Sequence, residues 1–289
     1  MLFRSFYGRY FTTMGCEMDL SHSPMTDEAT AVLKLLPLMR NCRLLDMDSC
    51  GVSSLRMQEI RDRYPEMEVI WRIWFAKGKF TARTDVERLW CANSYPNMTA
   101  EYTQELRYLT KIKYLDLGHN PELTDWEFIR CMPDLEVLII TGSGWTSLDM
   151  LEDCTRLEYL EILPMTYIDL DLHPLAKLTN LEHLNMCGMG KTTGWEVLLN
   201  MKKLQRLWIG AATAYGFPEG AMERILEALP DTQIVYLTDS SAAGSWRVNP
   251  DGTVPERYTL LREQMGYDHV YEIAPFPEND PKLIPPWRS

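Results

Sequence analysis

The 289-residue chain lacks a surplus of basic residues and lacks any long apolar run. It has 29 Lys and Arg residues against 41 Asp and Glu residues, so its net charge is −12 at pH 7. An acidic surplus repels the phosphate backbone of nucleic acids. No apolar run reaches the roughly 18 residues that are needed to cross a bilayer. We therefore expect neither a nucleic-acid partner nor a membrane span.

The chain also lacks the residue spacings that hold metals and disulfide frameworks. Its seven cysteines are odd in number and show no CxxC pair, so they predict no zinc site, and most should be small buried residues. Asp19, Asp46 and Asp48 should lie near one another and could attract a cation, but the spacing of calcium loops is absent. At the N-terminus, Arg9 interrupts an apolar stretch that is too short for an export signal. We predict no metal and no cofactor.

What the chain does have is a phrase that recurs through most of its length: an apolar residue, two variable residues, an apolar one, a variable one and an apolar one. It is clearest in IKYLDLGHN, LEVLIITGS, LEYLEILPM, LEHLNMCGM and LQRLWIGAA. The middle leucines of these segments are Leu115, Leu138, Leu160, Leu184 and Leu207, which lie 23, 22, 24 and 23 residues apart. Weaker copies occur around Met18, Leu45, Leu89 and Val235. This spacing falls within the roughly 20 to 29 residues of leucine-rich repeats.

The repeat predicts an α/β fold, a right-handed leucine-rich-repeat solenoid with a curved parallel sheet on its concave face and helices and irregular turns on its convex face. Alternate residues of a strand point to opposite sides, and stacking of the copies buries their apolar side. The five leucines should therefore form one buried row on adjacent parallel strands. Asn120 stands where an asparagine would bond neighbouring backbone turns. Other residues fill that position elsewhere in the chain: Cys50, Ser94, Ser143, Met165, Met189 and Ala212.

Three stretches depart from the repeat: one lies between two of its copies, one opens the chain and one follows the last copy. Val69–Thr84 alternates aromatic and polar residues around a glycine, which predicts a β-hairpin, and the opening FRSFYGRYFTT resembles a second copy of it. Beyond Ser241, RYTLLREQM predicts a helix that, with Trp246, should cap the last repeat, and the Pro-rich C-terminus should be a mobile tail. We predict three regions: 1–84, 85–240 and 241–289.

On these repeats, on RYPEMEVIWRI and RTD (Arg63 to Asp85) and on GSWR (Gly244 to Arg247), the chain resembles leucine-rich-repeat proteins of Gram-positive, largely gut-dwelling Clostridia. Their repeats are similar to those of internalins. The resemblance implies an exported or surface-attached protein that binds a protein or a glycan, and it implies no catalytic residues. On the residues given, we expect no export signal and no wall anchor, which departs from the pattern of these proteins.

Two motifs could indicate chemistry other than binding. NMCGMGKTT, from Asn185, resembles a phosphate-binding loop, but Asn185 stands where that motif requires glycine, so we predict no nucleotide site. Asp116 and Glu161 are the candidate carboxylates of a hydrolase, yet strands two apart place them roughly 10 Å from one another, which is wide even for an inverting glycosidase. We expect both acids to be solvated and His183 to be a surface imidazole.

The variable strand positions define a candidate binding surface on the concave face that is rich in aromatic residues, the residue types that dominate binding hot spots. Its residues are Trp90, Tyr114, Asp116, Ile139, Tyr159, Glu161, His183, Asn185, Arg206, Trp208 and Tyr236, with Val137 and Ile234 beside them. The sequence thus predicts a non-enzymatic module that binds a protein or a glycan there. The alternatives are an intracellular scaffold or regulatory protein and, after that, a hydrolase. A further interpretation stays open, in which the C-terminal segment folds over these side chains.

Overall fold

A computed structural model describes residues 3–76, 78, 80–92, 98–165, 168–236, 246–249 and 251–267 of the chain. The described residues fall into two compact units, one that ends at Val86 and one that begins at Glu87. The Pro-rich C-terminus, for which we predict a mobile tail, lies outside the described residues.

The N-terminal unit combines two antiparallel hairpins with a short parallel sheet. The hairpins are β1 (Phe3–Phe6) with β2 (Arg9–Thr12) and β6 (Arg72–Phe75) with β7 (Phe80–Arg83). The parallel sheet has the order β3 (Glu17–Asp19), β4 (Leu44–Asp46) and β5 (Glu68–Ile70). Its helical segments are α1 (Thr30–Leu35), a 3-10 turn (Leu36–Leu38) and α2 (Ser54–Arg63).

Both predicted hairpins are confirmed, but the second is shorter than predicted. Val69 pairs with Leu45 in the parallel sheet and is buried, so β5 is a repeat strand that the sequence analysis missed. The hairpin itself begins only at Arg72. Alternating apolar residues suit a hairpin and a repeat strand equally well, which is why the pattern did not separate them.

The C-terminal unit is built on a seven-stranded parallel sheet. In order from one edge, its strands are β8 (Arg88–Trp90), β9 (Tyr114–Asp116), β10 (Val137–Ile139), β11 (Tyr159–Glu161), β13 (His183–Asn185), β15 (Arg206–Trp208) and β16 (Gln233–Val235). A second parallel pair joins β12 (Leu170–Asp171) to β14 (Thr192–Thr193).

Helical turns connect these strands. They are α3 (Ala100–Thr103), 3-10 segments at Gln104–Tyr108, Glu127–Cys131, Asp149–Leu151, His173–Lys177 and Trp195–Asn200, then α4 (Ala211–Tyr215) and α5 (Ala221–Ala228). A last helix, α6 (Glu256–Met265), follows the sheet. No helix among the described residues is long and apolar enough to cross a membrane.

The predicted leucine row is confirmed and is the core of this unit. Leu115, Leu138, Leu160, Leu184 and Leu207 pair in register across adjacent parallel strands, and all five are fully buried. The repeated strands, the register and the buried row define an α/β leucine-rich-repeat solenoid.

Side-chain hydrogen bonds link successive turns behind this row. The amide of Asn120 donates to the carbonyl oxygens of Cys91 (3.0 Å) and Leu117 (2.9 Å), as an asparagine ladder requires. Further along, Thr213 donates to the carbonyl oxygen of Met186 (3.2 Å). Thr213 therefore takes the ladder position, one residue after the predicted position at Ala212.

The last strand differs from its predicted register by one residue. Ile234 pairs with Leu207 and Val235 pairs with Trp208, so Ile234 is in register with the leucine row, where it is half-buried. Tyr236 follows the strand, where Ile209 stands one repeat earlier. The predicted concave positions of Ile234 and Tyr236 are therefore wrong. Three consecutive apolar residues, 234 to 236, leave the register of this strand open, and a shift of one residue exchanges its faces.

The C-terminal segment, residues 246–249 and 251–267, takes a different place from the predicted cap of the last repeat. Helix α6 packs against β8 and β9, at the opposite edge of the sheet from β16. Trp246, Leu261 and Met265 are buried in one cluster with Tyr159 and Trp208. The segment therefore covers the concave face, which is the side of the sheet formed by the first and third residues of each strand.

Candidate ligand-binding cavity

The predicted binding residues lie on the concave face, apart from Tyr236, but most of them are covered. Trp90 and Tyr114 are partly buried. The remaining residues are at most 5% exposed: Asp116, Ile139, Tyr159, Glu161, His183, Asn185, Arg206 and Trp208. The expected exposed aromatic platform is therefore wrong. The structure has the other arrangement, in which the C-terminal segment folds over these side chains.

Trp246 anchors this segment to the sheet. Its indole N–H lies 2.9 Å from Oε1 of Glu161 and 3.0 Å from the hydroxyl of Tyr159. Its ring meets that of Trp208 edge-on at 5.7 Å and that of His183 at 6.1 Å. One side chain from outside the repeat thus satisfies buried polar groups of the face and fills the space between its aromatic rings.

Glu161 holds the segment through a charged pair. A guanidinium nitrogen of Arg247 donates to both carboxylate oxygens, at 3.1 and 3.2 Å, and the Tyr159 hydroxyl donates to Oε1 at 2.5 Å. Burial alone would lower the pKa of Arg247, but the charge of Glu161 raises it above its usual value. Glu161 is therefore an ion-paired carboxylate, and the expectation that it is solvated is wrong.

Asp116 is also buried and bonded. The hydroxyl of Tyr267 donates to Oδ2, and the backbone N–H of Gly118 donates to Oδ1 at 2.9 Å. Burial raises the pKa of Asp116 to about 6, although both hydrogen bonds favour the charged form. This carboxylate therefore does not have the solvated environment that the sequence analysis assumed.

His183 and Arg206 are enclosed as well. Burial, together with the charges of Arg257 and Arg206, lowers the pKa of His183 to about 3, so the ring is neutral at pH 7. The expectation of a surface imidazole is wrong. Arg206 donates to the side-chain oxygen of Asn249 and to the carbonyl oxygen of Val248, both at 3.1 Å. Both of these hydrogen bonds go to the C-terminal segment.

Between the sheet and this segment lies a cavity of about 530 Å³. Five predicted binding residues line it: Trp90, Asp116, Ile139, Glu161 and Asn185. The C-terminal segment contributes Trp246, Arg247, Tyr258, Arg262 and Tyr267. None of the residues in this second group was among the predicted site residues. The only sign of them in the sequence is a Trp-Arg pair and two tyrosines in a segment outside the repeat. These residue types indicate a surface that could pack or bind, but they do not indicate which part of the chain it packs against.

The other motifs show no comparable arrangement. In the N-terminal unit, Arg72 donates to both oxygens of Asp48, at 2.7 and 2.8 Å, and Arg83 lies 3.1 Å from Asp46. Arginines thus neutralise these acids, and no cluster of three metal-ligating side chains occurs in the described parts of the chain.

The GKT segment, Gly190 to Thr192, belongs to the repeat and leads into β14. The backbone N–H of Lys191 donates to the Asp169 carboxylate at 2.8 Å, whereas a phosphate-binding loop directs such groups at phosphate oxygens. The absence of a nucleotide site stays a prediction.

Comparisons with known proteins give structural neighbours only. No family model matches the chain, and no curated protein matches it. An internalin (inlF) from Listeria monocytogenes is 19% identical over 77% of this chain and 54% of its own length, with a TM-score of 0.45. A second Listeria monocytogenes internalin (inlC2) is 16% identical over 78% of this chain and 76% of its own, with a TM-score of 0.38.

A leucine-rich-repeat protein of Leptospira interrogans is 20% identical over 76% of this chain and 60% of its own, with a TM-score of 0.41. The chain spans about half the length of the first internalin.

Proposed function

We propose that this chain is a binding module whose ligand occupies the cavity between the concave face and the C-terminal segment. The observation that carries the proposal is the lining of the cavity. Five residues of the predicted recognition surface and five of the covering segment meet around one space of about 530 Å³. Ligand sites commonly have volumes of about 300 to 1,000 Å³ and combine apolar walls with a few fixed polar groups.

The bonding of the two carboxylates supports binding over hydrolysis. A glycosidase needs one carboxyl group as a general acid and another as a base or nucleophile. Here Glu161 is committed to Arg247, Tyr159 and Trp246, and Asp116 accepts the hydroxyl of Tyr267. Such networks hold side chains still, which suits recognition. A scaffold inside a cell and an exported protein could use the same cavity, so the proposal is independent of the compartment.

Replacing Trp90 tests the proposal. The native chain is first screened against peptides displayed on phage and against glycans on an array. The affinity of the best-retained probe is then measured by calorimetry for the native chain and for Trp90→Ala. Loss of a hot-spot aromatic should weaken binding by about 2 kcal/mol, roughly 30-fold. Tyr215→Ala is the matched control, because Tyr215 is 88% exposed and does not line the cavity. Binding that persists in Trp90→Ala, or no retained probe of either class, contradicts the proposal.

A further inference from the structure

The cavity contains fixed charges of both signs. Asp116 and Glu161 approach it from the sheet, and Arg247 and Arg262 approach it from the C-terminal segment. Asp116 and Glu161 are buried, and like charges repel more strongly beside buried groups than in bulk solvent because the effective dielectric constant is lower there. A cationic ligand would meet the two arginines, and an anionic one would meet the two carboxylates. The charge pattern thus favours a ligand without net charge.

The polar groups of the lining are planar and include both donors and acceptors. The carboxylate of Asp116 accepts hydrogen bonds, the guanidinium of Arg262 donates them, and the amide of Asn185 does both. A hydroxyl group also donates and accepts, so neighbouring hydroxyls can bond to all three types. Few other uncharged ligands offer so many hydrogen-bonding groups on a small framework.

Aromatic rings provide the complementary apolar wall. Trp90 and Tyr267 meet edge-to-face, with ring centroids 5.3 Å apart and an interplanar angle of 67°. Trp90, Tyr258 and Tyr267 are partly buried and keep some exposed surface. The face of an aromatic ring carries negative charge density, which attracts weakly positive C–H groups. A pyranose ring presents C–H groups on one side and hydroxyls around its edge.

The size of the cavity favours a small ligand over the surface of a partner protein. A standard protein interface takes about 800 Å² from each partner, but the C-terminal segment has buried most of the concave face. What remains has the volume of a small-molecule site. A protein partner could insert at most a side chain or a tight loop there.

Building on the proposed function, we propose that the cavity binds an uncharged carbohydrate, with a sugar ring against Trp90 and its hydroxyls bonded to Asp116, Asn185 and Arg262. The C-terminal segment is then half of the sugar site as well as a cover. Charged sugars, the uronates and the aminosugars with free amines, should bind more weakly than neutral ones.

The test is an array of neutral oligosaccharides printed beside their carboxylated and free-amine counterparts, probed with the full chain. We expect retention of neutral glycans and at least tenfold weaker binding of the charged counterparts by calorimetry. Trp90→Ala should weaken binding of the retained glycan at least 30-fold, and Tyr215→Ala should leave it unchanged. If Trp90→Ala does not fold, Arg262→Met, which keeps the apolar stem and removes the donors, should weaken binding at least fivefold.

The outcomes separate this inference from the proposed function. Retention of displayed peptides but of no glycan, with loss in Trp90→Ala, overturns the carbohydrate inference and leaves the binding module standing. Preferential binding of charged glycans overturns it as well. Retention of neither class overturns both proposals.

Discussion

His183 shows how much a contact distant in sequence changes a single side chain. It stacks on Tyr159 at 5.7 Å and is closed in by Trp246, 63 residues further along the chain. The sequence around it specifies its place on the strand but contains no sign of this cover. The same holds for Asp116 and Glu161, which would be solvated acids if the strands stood alone. The buried leucines were predictable, because their environment follows from the repeat itself.

His183 should make the protein sensitive to acid. Its folded pKa of about 3 lies below the unfolded value of about 6.5, so the folded state binds fewer protons in between. The stability it provides is complete above pH 6.5 and is lost as the pH falls toward 3. His183→Phe keeps a ring and removes the titration. Between pH 6.5 and 4.5, native stability should therefore fall relative to the variant by about 2 to 3 kcal/mol.

Urea unfolding of both proteins at several pH values measures this difference. Asp116 has a raised pKa and acts in the opposite direction, but it is present in both proteins and cancels. A difference that does not change with pH would mean that His183 is not held neutral by burial.

Leu160 is the central residue of the buried row and should carry a large share of the local packing energy. Leu160→Ala removes apolar contacts and leaves a cavity, so the free energy of unfolding should drop by about 2 to 5 kcal/mol. The exposed Leu226, on α5, gives the control, since Leu226→Ala should change stability by less than about 1 kcal/mol. A near-neutral Leu160→Ala would contradict its core position.

At the scale of elements, α6 and the strands of the regular repeats, β8 to β11, β13 and β15, were predictable, but the packing of α6 was not. A repeated apolar phrase specifies both a strand and its neighbours, because each copy can bury its face only against the next. A single amphipathic helix has an apolar side without a specified partner. Val69 and Ile234 show a second limit, since runs of apolar residues allow alternative strand limits and registers.

Trp246 should be the main attachment of the C-terminal segment. Its ring is 2% exposed and contacts Tyr159, His183 and Trp208. Trp246→Ala should lower the free energy of unfolding of the C-terminal unit by about 3 to 5 kcal/mol, and it should increase the fluorescence of an apolar dye by exposing the aromatic face. Tyr215→Ala should do neither. Unchanged stability and dye binding in Trp246→Ala would show that the segment does not cover the face.

At the scale of the whole molecule, the sequence predicted a repeat fold with a recognition surface, and the structure adds a segment that closes most of that surface. The remaining cavity combines residues 90 to 185 with residues 246 to 267. No local pattern could have brought these groups together. The three predicted regions, 1–84, 85–240 and 241–289, stay a prediction. If the proposed cavity is the binding site, the last two regions function together, because both line it.

The ion pair between Glu161 and Arg247 tests the closed face most directly. In a double-mutant cycle, Arg247→Met leaves the buried Glu161 without its cation, and Glu161→Gln leaves the partly buried Arg247 without its counter-charge. The first change should cost about 3 to 5 kcal/mol, and the second should cost less because Arg247 retains some contact with water. The double variant should cost at least about 1.5 kcal/mol less than the sum of the single changes, because contacting residues are coupled. The exposed pair Glu127 and Arg130 should give a coupling below about 0.5 kcal/mol. Additive effects at Glu161 and Arg247 would contradict the closed concave face and, with it, the cavity proposed as the binding site.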